Sequence, residues 1–370
     1  MKKIPLIKPY VNDSVKKMVL EVLDSGHLTE GRITREFERV FADFIGAPHA
    51  IAVTSCTTGL ELALRALGIG EGDEVIVPDY TYPATAAVVS IVGATPVIVD
   101  VEPETMLIDR NATGKAITKK TKAIMPVSIF GNPLDYSWIN EIKRKHNLFI
   151  IEDSACSIGA EFNGQKVGSF ADISVFSLHP RKFITTGEGG IITTCDKNLS
   201  EWMNSYKHFG IGKLEAERSE VYFERIGTNY KLSDVLSAIG LAQMQSVDIL
   251  LADRKTQAER YKGLVAGRDK LEVQAIYEGA RHSYQTFTVF VENRDEVMRK
   301  MRDIGIEVQI GTYAIHVHPA FSKYRRVAAD GSDVLKGSFY AYEHALALPM
   351  FFGLSESEQK YVVGKLKEIT

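Results

Sequence analysis

Residues 177 to 190 read Ser177-Leu-His-Pro-Arg-Lys182-Phe-Ile-Thr-Thr-Gly-Glu-Gly-Gly190. The stretch follows the apolar run Asp172 to Phe176 and leads into a second run, Gly190 to Thr194, so it predicts a loop between two strands. It places Lys182 between short polar residues and a glycine-rich turn, where the backbone can approach a ligand closely. A lysine in this setting is a candidate for covalent chemistry with an aldehyde.

A carboxylate stands at the end of an earlier strand pattern. The apolar run Leu148 to Glu152 ends at Asp153, and open α/β sheets bind ligands at the carboxyl ends of their strands. A carboxylate there would stabilise a protonated pyridine nitrogen. Together with Lys182 it predicts pyridoxal 5'-phosphate (PLP) as the cofactor. Each residue also has a simpler interpretation, Lys182 as a solvated lysine on a turn and Asp153, with Ser154, as a helix cap.

Two further segments supply groups that PLP requires. The segment from Val53 to Leu60 runs from a strand into a helix through Cys56 and Thr57, so backbone N–H groups at the helix start could hold a phosphate. Ser177 could add a hydroxyl to the same phosphate. Tyr82 follows another strand and could lay its ring against the cofactor. Capping residues and a core aromatic are the ordinary alternatives for these two segments.

The order of apolar patterns predicts an α/β fold. Short β-branched runs alternate with helix-like stretches, which is typical of a large domain built on a mainly parallel sheet covered on both faces, here assigned to residues 1–250 with an N-terminal arm. Residues 251–370 predict a smaller C-terminal α+β domain. The strands are predicted at Ala50 to Val53, Glu74 to Val77, Pro96 to Val99, Lys122 to Val127, Leu148 to Glu152, Asp172 to Phe176 and Gly190 to Thr194 in the large domain, and near Gln285 to Val291 and Ile306 to Ile310 in the small one. Helices are predicted at Thr57 to Leu67, Pro83 to Val92, Trp138 to His146, Ser233 to Leu264, Arg294 to Ile304, Leu335 to Leu346 and Ser355 to Ile369.

Charge and cysteine content narrow the class of protein. The 370 residues carry 44 Lys and Arg against 47 Asp and Glu, a balance that argues against nucleic acid or an anionic membrane as the main partner. Three scattered cysteines suit a reduced compartment better than a disulfide framework. No apolar segment of signal-peptide length follows Met1, so a cytoplasmic location is predicted.

Several motifs in one order resemble the DegT/StrS family of nucleotide-sugar aminotransferases. The resemblance extends from Ile7 to Pro349 and rests on Gly-Asp-Glu-Val-Ile-Val-Pro at 72–78, Gly-Ala-Thr-Pro-Val at 93–97, Glu-Asp-Ser-Ala-Cys at 152–156, the lysine segment, and Gly-Thr-Asn-Tyr-Lys-Leu-Ser-Asp at 227–234. It implies an aspartate-aminotransferase-like enzyme of PLP fold type I, a homodimer with shared active sites. It also implies L-glutamate as the amino donor and a nucleotide-linked keto sugar as the acceptor.

The resemblance assigns a role to each matching residue. Lys182 would be the Schiff-base lysine and Asp153 the pyridinium partner, while Asn229 would reach the phosphate of the neighbouring subunit. Tyr82 would stack on the ring, and the phosphate would be held by Cys56, Thr57 and Ser177. In the segment Gln309 to Pro319, Tyr313 and His316 would contact the substrate. Because no Cys, His or acidic cluster completes a ligand set around His316 and His318, no metal site is predicted.

Two cysteines depart from the family pattern. Cys56 stands where many relatives carry Gly before the phosphate-loop Thr, so it adds a side chain near the cofactor. Cys156 stands where relatives often place Gln or His near the cofactor hydroxyl, and a thiol is a poorer hydrogen-bond donor. Relatives that replace the Schiff-base lysine with His perform sugar deoxygenation, so the retained Lys182 favours amino transfer.

Other functions remain as alternatives. A PLP-dependent nucleotide-sugar dehydratase and a non-catalytic PLP-binding regulator would both use much of the same site, although the sequence contains no DNA-reading module. A nicotinamide dehydrogenase would share a doubly wound sheet. The nearest glycine fingerprint for that class, Gly68 to Gly72, follows a helix and precedes a strand, the reverse of the required order.

Overall fold

The computed structural model describes residues 3–212, 219–267 and 271–370. Within these residues the α-helices are α1 (Asp13–Ser25), α2 (Arg32–Ile45), α3 (Cys56–Ala66), α4 (Ala84–Ile91), α5 (Arg110–Ala116), α6 (Tyr136–His146), α7 (Lys197–Lys207), α8 (Asp234–Met244), α9 (Val247–Val265), α10 (Arg294–Asp303), α11 (Lys336–His344) and α12 (Glu356–Ile369). The strands are β1 (His49–Val53), β2 (Glu74–Pro78), β3 (Tyr80–Thr81), β4 (Thr95–Val99), β5 (Thr121–Ile124), β6 (Phe149–Asp153), β7 (Glu161–Phe162), β8 (Gln165–Lys166), β9 (Ile173–Ser177), β10 (Gly190–Thr194), β11 (Glu272–Val273), β12 (Ala280–Arg281), β13 (Phe287–Phe290), β14 (Gln309–Ile310), β15 (Tyr313–Ala314), β16 (Arg326–Val327) and β17 (Ala345–Leu348).

The large sheet has eight strands in the order β1-β10-β9-β6-β5-β2-β4-β16. Strand β10 runs antiparallel to both of its neighbours, and every other adjacent pair in the sheet from β9 to β16 is parallel. All five residues of β9 and all five of β10 are buried, as expected for strands covered by helices on both faces. The mainly parallel sheet predicted from the sequence is confirmed.

Helices on the two faces of this sheet bury separate apolar clusters. One cluster includes Phe37 and Phe41 of α2 together with Phe176 of β9. The other includes Leu60 and Leu64 of α3. Helices cover both faces of the sheet and make it rigid. The carboxyl ends of its parallel strands therefore form an edge that can position catalytic side chains.

A second, antiparallel sheet belongs to the C-terminal part of the chain. Its order is β11-β13-β17-β14, and helices α9, α10 and α12 pack beside it around a third cluster that includes Tyr261 and Leu366. Ile4 from the N-terminal arm joins this cluster and forms an isolated parallel bridge with Ile306. Between β14 and β17 of this sheet the chain returns to the large sheet, where β16 pairs with β4. The division at residue 250 falls inside α9 and stays a prediction.

Three predicted elements differ from the structure. The helix predicted from Ser233 to Leu264 is two helices, bent by 61° at a break that Gln245 and Ser246 occupy. Serine has low helix preference in a helix interior, and neither Gly nor Pro marks the break in the sequence. The last predicted helical residues, after His344, instead begin β17, whose four residues are buried at the centre of the small sheet. The strand predicted from Ile306 is ordered as a strand only at Gln309–Ile310.

No single helix in the described part of the chain is long and apolar enough to cross a membrane. The bent pair α8 and α9 passes the same test of length and composition only when its two helices are taken together.

Candidate active site

A cavity of about 700 Å³ opens at the carboxyl ends of the central parallel strands. Strand β6 brings Asp153 to it, and the loop that follows β9 brings Lys182. Most of the predicted site residues line this one cavity, namely Cys56, Thr57, Tyr82, Asp153, Cys156, Ser177, Lys182 and Tyr313. Their convergence follows from topology, because the carboxyl ends of neighbouring parallel strands meet at one edge of the sheet.

The peptide units on both sides of Lys182 are fixed by one buried side chain from the C-terminal part of the chain. The Gln285 amide nitrogen donates to the Arg181 carbonyl at 2.7 Å, and the Gln285 amide oxygen accepts from the Phe183 N–H at 3.1 Å. Gln243 binds both the N–H and the carbonyl of Thr185 in the same way, at 2.9 and 3.0 Å. These bonds hold the lysine loop from two directions.

The amine of Lys182 lies against a thiol. Its Nζ donates to Sγ of Cys156 at 2.9 Å. Burial by itself lowers the pKa of the Lys182 amine, but the interactions with Cys156, Cys56 and Asp153 outweigh burial and leave this pKa raised. The lysine is therefore held as a cation that faces the cavity.

Asp153 is almost fully buried and has two partners. Oδ2 accepts from the hydroxyl of Thr85 at 2.8 Å, and Oδ1 accepts from the N–H of Ala155 at 3.2 Å. Burial raises the pKa of the Asp153 carboxyl, while these two donors and the charge of Lys182 oppose that shift. A protonated ring nitrogen beside the carboxylate would favour the ionised form further.

The neighbouring residue, Glu152, points into a closed polar network on the other side of β6. One carboxylate oxygen accepts from the hydroxyls of Ser128 and Tyr136, the latter at 2.6 Å, and the other accepts from Ser174 at 3.4 Å. Burial raises the pKa of Glu152 to about 7, and these hydroxyl donors reduce the shift. Because Glu152 is fully buried next to Asp153, it fixes the strand that carries the site.

The start of α3 forms the opposite end of the cavity. Ser55 caps the helix by accepting from the Thr58 N–H, and the Thr58 hydroxyl in turn accepts from the Ser55 N–H. Cys56 follows the cap, and its thiol lies 3.7 Å from the Val175 carbonyl. A β-carbon at Gly190 would lie 2.6 Å from the Cys56 nitrogen, so only glycine allows β10 to approach this helix start so closely.

Two tyrosines stand at the mouth of the cavity. Tyr82 is 64% exposed, and its ring centroid lies 6.2 Å from that of Tyr313. The two residues come together because β3 pairs with β15, which joins the large sheet region to the C-terminal part of the chain. The open face of Tyr82 fits the stacking role that the resemblance implies.

Two predicted site residues do not line the cavity. His316 is held by the buried carboxylate of Asp79, which accepts from its backbone N–H at 2.8 Å and contacts its Nδ1 at 2.6 Å. Asn229 is exposed, and its backbone forms an isolated bridge with His208. Substrate contact by His316 and phosphate contact by Asn229 stay predictions. Within the residues described, no three His, Cys, Asp or Glu side chains cluster as metal ligands.

Several residues that shape the site have no local sequence signature. The sequence assigns no role to four of them, namely Thr85, Gln243, Gln285 and Glu152. Thr85 nevertheless lies only three residues after Tyr82, in the segment proposed to stack on the cofactor. A hydroxyl in the first turn of α4 was the available signal for Thr85. The two glutamines carried no local signal, because each reaches the lysine loop across more than 50 residues of sequence.

The residues present fit PLP. The cavity combines an amine for the aldehyde, a buried carboxylate for the ring nitrogen, and the start of α3 for the phosphate, and its volume suits a cofactor together with a small substrate. The start of α3 lines the cavity with Ser55, Cys56 and Thr57, where backbone N–H groups could bind an anion.

Comparison with known proteins gives the same result. The sequence profile of the DegT/DnrJ/EryC1/StrS aminotransferase family matches residues 9–367. The chain belongs to this family. It is therefore an aminotransferase, and the sequence resemblance is confirmed over nearly the whole length.

Relatives and solved structures support the same family. A GDP-perosamine synthase from Caulobacter vibrioides is 37% identical over 99% of this chain and 98% of its own length. The aminotransferase TlmJ from Streptoalloteichus hindustanus is 29% identical with a TM-score of 0.92, covering 99% of this chain and 98% of its own. Spr1654 from Streptococcus pneumoniae, solved in a PMP form, is 28% identical with a TM-score of 0.92 over 100% and 98%. The predicted aspartate-aminotransferase-like α/β fold is confirmed.

Proposed function

We propose that this aminotransferase uses PLP to move an amino group from L-glutamate to a keto carbon of a nucleotide-linked keto-deoxy sugar. The observation that carries the proposal is the placement of Lys182 and Asp153 on one cavity, close enough for their charges to interact. The amine would meet the aldehyde of PLP and the buried carboxylate would meet its ring nitrogen, which lie on opposite sides of the pyridine ring. The PMP and PLP forms of Spr1654 support the same cofactor.

Each residue of the cavity has a distinct task in this function. Lys182 would hold the cofactor through its amine and would move a proton at the substrate carbon. Bound PLP would supply an electron-withdrawing ring that stabilises negative charge on the carbon that Lys182 deprotonates. Asp153, which accepts a hydrogen bond from Thr85, would keep the ring nitrogen protonated. The start of α3 and Ser177 would hold the phosphate.

The acceptor is proposed to be a sugar carried by a nucleotide. The 37% identical relative is a GDP-perosamine synthase, so a GDP-linked keto sugar is the first acceptor to test. Tyr313, which lines the cavity, would contact a bulky substrate that enters after the donor has left. His316 lies on the same segment as Tyr313 and is held by Asp79, so it would orient that segment toward the sugar.

A homodimer is proposed as the working assembly. The surface around Asn229 carries exposed apolar side chains, with Tyr222 54%, Phe223 64% and Ile226 96% exposed. Exposed apolar groups of this size favour burial against a second protein surface. In a two-fold dimer this surface would bring Asn229 to the phosphate end of the partner cavity.

The experiment is a glutamate half-reaction followed by an acceptor panel. We expect L-glutamate to bleach the absorbance of the PLP-loaded protein and release one equivalent of 2-oxoglutarate. Keto sugars linked to GDP, UDP and dTDP are then added, and the product mass and amine position are determined. Lys182→Ala should abolish both steps, whereas Lys197→Ala, at an exposed surface lysine, should leave them unchanged.

Each alternative function has its own outcome in this experiment. A regulator would bind PLP without releasing 2-oxoglutarate. A dehydratase would return a sugar that has lost a hydroxyl and carries no new amine. Wild-type turnover by Lys182→Ala would overturn the proposal altogether.

A further inference from the structure

We propose that Thr81 is a positioning residue that acts through Thr85 on the carboxylate of Asp153. A chain of hydroxyl groups connects the three side chains. The Thr81 and Thr85 hydroxyl oxygens lie 2.8 Å apart, and the Thr85 hydroxyl donates to Oδ2 of Asp153 at 2.8 Å. All three residues are buried. The inference rests on the proposed function, in which Asp153 would keep the ring nitrogen of the cofactor protonated.

A five-residue turn brings the two hydroxyls together. Thr81 ends β3, where it pairs with Tyr313 of β15, and Thr85 lies in the first turn of α4. The Thr85 N–H donates to the Tyr82 carbonyl at 3.2 Å and closes the turn. Because the turn also carries Tyr82, the candidate for stacking, the same segment would position the face of the ring and, through Asp153, its nitrogen.

The number of available protons fixes the direction of the chain. An ionised carboxylate accepts hydrogen bonds and donates none, and each threonine hydroxyl has a single proton. When Thr85 donates to Asp153, its oxygen can only accept from Thr81. Thr81 is therefore the donor in this contact and removes itself as a competing acceptor for the Thr85 proton. The Tyr82 carbonyl, at 3.2 Å, is a more distant and weaker competitor.

The chain favours the charged form of Asp153. Burial raises the pKa of the Asp153 carboxyl, and the hydrogen bond from Thr85 is the largest influence that opposes this rise. Two titratable groups also face the carboxylate, the amine of Lys182 and the thiol of Cys56. Hydrogen bonds in a buried chain polarise one another, so a donor at Thr81 strengthens the bond from Thr85. An ionised carboxylate in turn favours a proton on a nearby ring nitrogen.

The first test follows the ring nitrogen in protein loaded with PLP that is isotopically labelled at that atom. Its NMR signal reports the fraction of ring nitrogen that carries a proton. We expect the signal to move toward the unprotonated position slightly in Thr81→Val and further in Thr85→Val. Thr81→Ser and Thr85→Ser should restore the wild-type signal, because each returns a hydroxyl. The double valine variant should equal Thr85→Val, since the effect of Thr81 passes through Thr85.

A second test uses the full chain without cofactor and so does not depend on the proposed function. Carbon NMR of labelled aspartate follows the Asp153 carboxyl, whose signal is identified by its loss in Asp153→Asn. We expect the proton dissociation constant of this carboxyl to fall about tenfold in Thr85→Val, which removes a hydrogen bond to a charged group, and about twofold in Thr81→Val. The double variant should again match Thr85→Val.

Thr288→Val is the matched control for both tests. Thr288 is a buried threonine of β13 that does not line the cavity, and its hydroxyl has no hydrogen-bond partner among the residues that the structure describes. Its replacement changes the same atoms without breaking a hydrogen bond, so both signals should stay at their wild-type positions. Melting temperature shows whether each variant is folded, and Thr81→Ala and Thr85→Ala are measured where a valine variant does not fold.

The outcomes separate this inference from the proposed function. If the effects of Thr81→Val and Thr85→Val add in the double variant, or if Thr85→Val leaves the proton dissociation constant of Asp153 unchanged, the inference is wrong, even where L-glutamate converts the cofactor normally. If the cofactor-free pattern appears but the ring nitrogen does not respond, the hydroxyl chain is supported and the proposed role of Asp153 is wrong.

Discussion

At the scale of single residues, the reactive amine of Lys182 is positioned by a side chain 103 positions away. Gln285 binds the Arg181 carbonyl and the Phe183 N–H, so both peptide units next to Lys182 depend on it. Small displacements of a catalytic group reduce rate strongly because the reacting atoms lose alignment. Gln285 is therefore a positioning residue, and its removal should affect turnover more than cofactor binding.

We expect Gln285→Leu to lower kcat by about 10- to 100-fold, with a smaller change in KM for the donor. Gln285→Glu keeps the acceptor for Phe183 and loses the donor to Arg181, so its kcat should fall less. The pH titration of the cofactor absorbance should also shift, which a purely structural role would not cause. Gln257→Leu is the matched control, because this buried glutamine donates to the Phe351 carbonyl and does not line the cavity, so its removal should change stability alone.

Glu152 gives a prediction about pH. Its folded-state pKa, about 7, is above the value of 4.5 for an exposed glutamate. The folded protein therefore binds more protons between these values, so the contribution of Glu152 is fully present below pH 4.5 and is lost as pH rises through about 7. We expect Glu152→Gln to remove this loss, gaining on the order of 3 kcal/mol relative to wild type between pH 5 and 8.

Urea unfolding of both proteins across that range measures the difference. Glu296→Gln is a suitable control, because a hydrogen bond from Lys300 lowers the pKa of this exposed glutamate and keeps its titration below the range. A gap between wild type and Glu152→Gln that is constant from pH 5 to 8 would show that the Glu152 pKa is not raised.

The site residues that the sequence predicted are those with a local signature. Asp153 ends β6 and Lys182 lies in the loop that follows β9, and the carboxyl ends of neighbouring parallel strands converge, so their meeting followed from topology. Gln285 and Thr85 contact the site only after distant segments have packed, and a lone Gln or Thr has no local signature. The contact between Lys182 and Cys156 depends on loop geometry that neither motif encodes by itself.

At the scale of elements, the phosphate end depends on how closely β10 passes the start of α3. An alanine β-carbon at Gly190 would lie 2.6 Å from the Cys56 nitrogen, so the strand and the helix would have to separate. We expect Gly190→Ala to cost about 1–3 kcal/mol of stability and to weaken PLP affinity by about tenfold or more. Cofactor titration and thermal unfolding measure the two effects.

Gly114→Ala is the matched control for that substitution. Gly114 lies in α5, where an added β-carbon meets nothing within 4 Å, and alanine has the higher helix preference. Its PLP affinity should equal that of wild type and its stability should rise slightly. If Gly190→Ala binds PLP as tightly as Gly114→Ala, the close approach of β10 does not shape the phosphate site.

Strands were predicted where a short apolar run is bounded by polar residues. They were missed where one continuous segment contains a helix followed directly by a strand. The buried strands β6, β9 and β10 are short apolar runs bounded by polar residues, and all three were predicted. Strand β17 follows α11 without a break, so its first two residues, Ala345 and Leu346, were predicted as the end of that helix. Its strand state depends on pairing with β13 and β14, which are distant in sequence.

At the scale of the whole molecule, the cavity joins parts of the chain that have separate cores. The large sheet supplies Asp153 and Lys182, and the C-terminal part supplies Gln285 and Tyr313. The β3–β15 pair and the β4–β16 pair tie the two parts together next to the site. Motion of one part relative to the other would therefore alter the lysine loop and the cavity mouth at once.

An active site shared between two subunits predicts that two inactive variants can restore activity when they form a mixed dimer. In a two-fold dimer with Asn229 reaching the partner cavity, a mixed dimer of Lys182→Ala and Asn229→Asp has both defects in one site and neither defect in the other. Asn229→Asp places a negative charge near the phosphate and should weaken cofactor binding in a site that uses it. Each variant should be nearly inactive by itself when assayed at limiting PLP.

Co-expression in equal amounts should give mixed dimers in about half of the population, with one intact site in each, so about a quarter of wild-type activity should return. If Asn229 acted within its own chain, every site of the mixed dimer would carry one defect and activity would stay at the level of the separate variants. Because the exposed apolar surface at Tyr222, Phe223 and Ile226 is next to Asn229, Ile226→Asp should prevent mixing and abolish the recovery. Sedimentation of that variant as a monomer, with the lost recovery, would connect the surface to the site.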